Sequence, residues 1–374
     1  MKSFKASVIG PYHEKVGLPC QDAYAVAHKS GFSAGAVTDG LSSAIVNGEY
    51  TEKTHSDISS RIAAERAVAV CAENYYPGMP HKDIHRMLKK AFAEADAAVN
   101  AEAAKNGDHP ALYDTTLCLA ILTESGELYY GNAGDSGLVA LTVDGRYLQI
   151  TQKQNDEYGG VFPLCAGPRC WEFGCATTPI SAVLLASDGV FDAVCPSLLK
   201  SQGDTGETVY IPLARLFLER TEEDEDEIKA LEVSAEGFLK KQMGHVADDK
   251  TALVVYNPAK PATIRDDDYY KEPDWGALHE RFLNGLSRSE EAEPPESKEE
   301  MSPQSVVDEA MDMLSDALPG QEFMEQVVQL LPEDSSEVVG CVKAAIHAGA
   351  KLLDNAVDKA VELGAELAEA LKEE

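Results

Sequence analysis

The stretch VLLASDGVFDAV, residues 183–194, is an apolar run that ends abruptly in two aspartates, Asp188 and Asp192. A carboxylate taken out of water without a partner costs several kcal/mol, so a core strand that finishes this way needs something at its end to compensate the charge. The pattern repeats along the chain. Asp22 opens DAYAVAHK, Asp39 closes FSAGAVT and is followed by Gly40, Asp135 sits in GNAGDS, and Asp248 and Asp249 immediately precede TALVVY. Asp is a common cap and turn residue, so any one of these has an ordinary structural explanation. As a set they admit three readings: caps, ligands of one structural ion, or ligands of a catalytic pair of ions. Hard cations such as Mg²⁺ and Mn²⁺ select oxygen donors and are held by a few carboxylates from separate elements. The glycine after Asp39 and Asp188 permits a tight turn, or a carbonyl turned inward as a further oxygen ligand.

The runs that carry these aspartates are strand-like: 3–9, 22–29, 32–38, 115–122, 127–133, 137–143, 182–187 and 251–256. Short connections such as HKSGF and TESGE imply antiparallel meanders. Helical spacing over 54–74 and 81–105, and again over 196–218 and 224–242, sets long helices in pairs beside them. Strands in runs and helices in pairs mean α+β layering rather than alternating βαβ units. Residues 152–180 show little periodicity and read as a long loop.

Taken in order, CQDAY, VTDG, DTTLCLAI, YGNAGDSGLVAL, LLASDGVFD and ADDKTALVV resemble the successive motifs of the metal-dependent protein Ser/Thr phosphatases, the PPM or type 2C family, over about residues 1–257. Each motif is short, and it is their order that makes the signal specific. The resemblance implies a four-layer α-β-β-α sandwich, two packed antiparallel sheets flanked by helices, with two Mn²⁺ or Mg²⁺ ions in a cleft at one edge. Matched position by position, it implies that Asp22, Asp39, Asp188 and Asp248, with the Gly40 carbonyl, hold the pair. Asp135 and Asp192, sharing Asp188, match the positions of a weaker third ion. The implied chemistry is hydrolysis of phosphoserine and phosphothreonine: two close divalent ions acidify a bridging water, and the hydroxide attacks phosphorus in line. The chain has no Cys-x5-Arg loop, in keeping with a route that needs no phospho-enzyme.

The chain departs from the family pattern in three places. Gly17 stands where many members carry a phosphate-binding Arg, so His13 and Lys15 in GPYHEKVGLPCQD are the candidate replacements. Lys15 would supply a point charge to the phosphate, and His13 would do the same or protonate the leaving oxygen; the alternative is that both are solvated loop residues. Leu41 replaces the His that follows Asp-Gly in eukaryotic members, and Asp249 replaces the usual Asn and would tune Asp248 from behind. These changes resemble a bacterial branch and put substrate affinity, not metal binding, at issue. Cys165, Cys170 and Cys175 lack a convincing fourth zinc ligand, and their loop falls where the family has a variable flap beside the cleft. Cys20 reads as a small buried residue rather than a nucleophile.

Beyond residue 257 the composition changes. Residues 258–301, including EEAEPPESKEE, read as an acidic Pro/Glu-rich linker, and residues 302–374 return to helical spacing with an apolar stripe from Val342 through Leu353 to Leu371. Those helices would bind a protein partner or the phosphatase domain. The 374-residue chain has a formal net charge of −32, with 10 basic against 28 acidic residues beyond residue 257. Such acidity argues against nucleic acid or an anionic membrane as a partner. MKSFKASVIGPYH reads as a strand and not as an apolar leader, and no run approaches the roughly 18 consecutive apolar residues of a membrane span; a cytoplasmic location is expected. The expected partner is a phosphorylated protein, a bacterial Ser/Thr kinase or its target. Two readings compete with an active enzyme: a catalytically weak phosphoprotein-binding or regulatory module, favoured by Gly17 and Leu41, and a scaffold whose tail is the functional part.

Overall fold

The computed structural model describes residues 1–155, 160–176, 178–200 and 208–291. In chain order the elements are β1 (Lys2–Val8), α1 (Pro11–Val16), β2 (Asp22–Lys29), β3 (Phe32–Asp39), a ribbon of β4 (Ala44–Val46) and β5 (Glu49–Thr51), α2 (Ser56–Asn74), α3 (His81–Asn106), β6 (Leu117–Thr123), β7 (Leu128–Ala133), β8 (Gly137–Thr142), β9 (Tyr147–Gln149), β10 (Glu172–Ala176), β11 (Ile180–Ala186), α4 (Asp188–Val194), α5 (Ser197–Lys200), α6 (Ile211–Leu218), α7 (Glu225–Lys241), β12 (Lys250–Tyr256) and α8 (Trp275–Glu291).

Burial with a period of two decides the architecture. In β11, Val183 and Leu185 point into one apolar layer while Ala182, Leu184 and Ala186 point into another; β12 splits the same way, Leu253 and Val255 against Ala252, Val254 and Tyr256. A strand buried on both faces lies between two layers. One antiparallel sheet has the order β1-β12-β11-β8-β9 and the other β10-β7-β6-β3-β2. The sheets face each other across Val37, Leu122, Leu138, Leu185 and Val255. Helices α4, α6 and α7 cover the first sheet through Phe191, Phe217 and Leu239, and α2 and α3 cover the second through Ala67, Leu88 and Phe92. This is the expected α-β-β-α sandwich. Each buried Leu, Val or Phe contributes about 1.5–3 kcal/mol, enough in aggregate to hold a charged edge in place.

Three local expectations change. The 196–218 helix is two pieces, α5 and α6, with 201–207 outside the described residues. Residues 152–180 contain β10, an edge strand whose half-exposed pattern hides its period. Residues 258–283, read as the start of a linker, lie in the same compact unit as the sandwich, Met1–Leu283. Thr263 N donates to Val143 O at 2.9 Å, Tyr269 and Tyr270 pack on the first sheet's core, and Leu278 is buried. Aromatic anchors override the polar composition there. The helices expected over 302–374 lie outside the described residues. Among the described residues no helix is long and apolar enough to cross a membrane.

Candidate metal centre

The two sheets deliver their aspartates to a common edge. The antiparallel register of β2 with β3 sets Asp22 opposite Asp39. β11 runs through Ser187 directly into α4, so Asp188 leaves the end of the facing sheet, and its neighbour β12 is entered through Asp248 and Asp249. Asp135 lies where the chain passes from β7 in one sheet to β8 in the other.

Hydrogen bonds fix these positions. Ser187 Oγ donates to Asp22 Oδ2 at 2.6 Å and accepts from Thr251 N at 3.0 Å, which ties the two sheets together at the site. Asp39 is held by its backbone: its N–H donates to Thr116 Oγ1 at 2.9 Å, and its carbonyl accepts from Thr116 N at 2.8 Å and Thr115 Oγ1 at 3.0 Å. The DTT motif thus acts as a clamp on Asp39. Gly40 follows because the backbone there abuts α2; a Cβ would lie 2.6 Å from Ser56 Cβ.

Asp249 has a different task from tuning Asp248 alone. Its N–H donates to Asp248 Oδ1 at 2.8 Å, while its own buried carboxylate accepts from Gly10 N and Gln21 N, both at 2.6 Å. It therefore closes the loop that leads into Asp22. His13 belongs to the same knot. It is buried, with Nδ1 2.9 Å from Asp249 Oδ2 but off the line of a hydrogen bond, and Nε2 3.2 Å from Ser42 Oγ, which donates to Gln21 Oε1 at 2.8 Å. His13 is not a solvated loop residue; Lys15 is exposed. Gly17 ends α1 in the left-handed region, φ 74°, where an Arg would be strained.

The carboxylates press on one another. Burial pushes Asp39 well above the ordinary carboxylate range, and the charges of Asp22, Asp188, Asp248 and Asp135 add to the rise. Burial likewise raises Asp22, against the pull of the Ser187 hydrogen bond. Asp188 is pushed up to about 6, by burial first and then by Asp248 and Asp135, and it lies within hydrogen-bonding reach of Asp39. Two buried carboxylate oxygens, Asp22 Oδ1 and Asp188 Oδ1, have no hydrogen-bond donor. Unpartnered buried acceptors among like charges are what a hard cation would satisfy, so these residues fit Mn²⁺ or Mg²⁺. Among the described residues, the trio whose potential ligand atoms all fall within 4.8 Å of one another is His13, Asp248 and Asp249. Of these, Asp249 is occupied by the Gly10 and Gln21 N–H groups, and Asp248, which is exposed, accepts from the Asp249 N–H.

Asp192 has a cation already: Lys153 Nζ lies 2.7 Å from its Oδ1 and 2.8 Å from its Oδ2. Burial raises Asp135, with Lys153 opposing the rise and Asp192 adding to it. In the flap region Cys165 Sγ donates to Asp114 Oδ1 at 2.9 Å, and no zinc-like group of cysteines forms among the described residues. Burial, with Asp22 and Asp249, pushes the Cys20 thiol up to about 12, which makes it a poor nucleophile.

A family model described as Protein phosphatase 2C matches residues 9–232. The chain belongs to the protein phosphatase 2C family. No curated protein matches it. Among solved structures, this phosphatase 2C chain is similar to a bacterial serine phosphatase (14% identity, 71% of this chain and 100% of that one, TM-score 0.46). It is also similar to the serine/threonine phosphatase Stp1 from Staphylococcus aureus (14%, 68% and 94%, TM-score 0.44) and to PppA of Pseudomonas aeruginosa, a key regulatory component of T6SS (16%, 68% and 96%, TM-score 0.42).

No local sequence pattern marks Gln21, Ser42 or Lys153, or assigns a task to the threonines of DTT. Ser187 has one usable signal, a hydroxyl immediately before an Asp at the end of an apolar run.

Proposed function

We propose that the chain is a metal-dependent protein Ser/Thr phosphatase that removes phosphate from phosphoserine and phosphothreonine. The observation that carries this reading is the pair of donorless buried oxygens on Asp22 and Asp188, set among Asp39 and Asp248 at the shared edge of two sheets. A bound pair of Mn²⁺ or Mg²⁺ ions would supply an acidified solvent nucleophile and neutralise the phosphoryl oxygens. The protein's part is to hold the donors. Asp22 is oriented by Ser187, Asp39 by Thr115 and Thr116, and Asp248 by the Asp249 N–H. Fixed donors of this kind lower the reorganisation needed at the moment of reaction. His13, knotted to Asp249 and Ser42, positions the 10–21 loop and is better suited to that than to donating a proton to the leaving group.

The substrate on this reading is a cytoplasmic phosphoprotein, a Ser/Thr kinase or its target, and the acidic residues 302–374 bind a protein partner or the phosphatase domain. Gly17 and Leu41 favour a second reading, a phosphoprotein-binding module of weak activity. Phosphate release from phosphoserine and phosphothreonine peptides by the full chain separates the two. Release that needs Mn²⁺ and stops with EDTA supports the enzyme. Metal-dependent peptide binding without turnover favours the module, and release that persists in EDTA refutes the metal route.

A further inference from the structure

The corner formed by Asp135, Asp188 and Asp192 contains a cation supplied by the chain. Lys153 Nζ makes close contact with both Asp192 oxygens, at 2.7 and 2.8 Å, and its charge acts on Asp135 and Asp188 as well. This lysine is not a free surface side chain. Two residues before it, Thr151 is fully buried and its Oγ1 accepts from Leu138 N at 2.9 Å. One residue after it, Gln154 N donates to Gly134 O and Gln154 Oε1 accepts from Gly134 N, both at 3.1 Å. Gly134 immediately precedes Asp135, so the backbone clamp that fixes Asp135 also delivers the Lys153 ammonium to the same corner. Asp192 is exposed and Lys153 half-buried, and an exposed pair by itself gains little from such a contact; what sets this one apart is that the flanking residues fix the Lys153 segment.

Resting on the metal-centre reading above, we propose that Lys153 is the resident cation of this corner, taking the charge-neutralising place of a third ion, so that the centre is built for two divalent ions. An ammonium offers three donors and one positive charge, and a dication brought beside it would meet like charge and lose Asp192 as a ligand.

The test is equilibrium dialysis of the full chain against Mn²⁺ at physiological ionic strength, which screens weak binding to the acidic tail, with bound metal measured by mass spectrometry. The expected count is two ions for the parent chain, three for Lys153→Ala, and two again for Lys153→Ala combined with Asp192→Asn. Lys153→Gln, which keeps the side-chain length without the charge, guards against misfolding of the alanine variant, and circular dichroism confirms the fold of each. Three ions on the parent, or two on both Lys153 variants, overturns the inference and leaves the metal centre standing. A parent that binds no Mn²⁺ overturns the metal-centre reading, and the inference with it.

Discussion

Ser187 Oγ donates a 2.6 Å hydrogen bond to Asp22 Oδ2, so the end of one sheet holds the first residue of a strand in the other. Removing that donor frees Asp22 to rotate without exposing it. Ser187→Ala is expected to leave the circular dichroism spectrum unchanged and to weaken Mn²⁺ binding about 10–100-fold, the usual cost of losing a group that orients a ligand. Titration calorimetry reads this, and unchanged affinity would show that Asp22 is not oriented through Ser187.

The crowding of carboxylates predicts an unusual pH dependence for the metal-free protein. Asp188 is raised from an ordinary 3.8 to about 6, so the folded state holds its proton more tightly than the unfolded chain does. Its favourable contribution is present in full below about 3.8 and is lost as pH rises through about 6. Asp188→Asn is therefore expected to be more stable than the parent at pH 8 without metal, by about 1–3 kcal/mol, with the advantage shrinking as pH falls through about 6. Saturating Mn²⁺ reverses the order. Thermal melts across pH 4–8 with and without metal check both signs.

Asp248 and Asp249 are adjacent yet should fail in opposite ways. Asp249→Ala strands the buried N–H groups of Gly10 and Gln21 at about 1–3 kcal/mol each, and is expected to lower stability in urea by about 2–5 kcal/mol. Asp248→Asn, at an exposed position, should leave the urea midpoint unchanged and lose Mn²⁺ affinity. Equal destabilisation by the two would contradict the division of labour.

Cys20, its thiol pushed up to about 12, is expected to react with iodoacetamide at pH 8 far more slowly than the exposed Cys175. Peptide mass spectrometry over a time course reads the ratio, and comparable rates would mean that burial and the neighbouring carboxylates do not protect the thiol.

Much of this fold was legible because charge interrupts apolar runs. All eight strand-like runs that the sequence shows correspond to strands, and the aspartates stood out because each ends or opens such a run. What stayed hidden has two physical causes. α1 and α4 are six and seven residues long, too short for a 3.6-residue period to register, and β10 lacks alternation because it lies at a sheet edge. The supporting groups at the site are single polar residues with distant partners. Ser187 meets Asp22 across 165 residues, Thr116 meets Asp39 across 77 and Lys153 meets Asp192 across 39. No local pattern encodes such pairings; the register of the sheets does.

The central claim is that acids from both sheets share divalent ions. Anomalous diffraction from crystals soaked in Mn²⁺ tests it most directly. Manganese peaks are expected within coordination distance of Asp22, Asp39, Asp188 and Asp248; peaks confined to His13 and Asp249, or none at this edge, would contradict a shared metal centre.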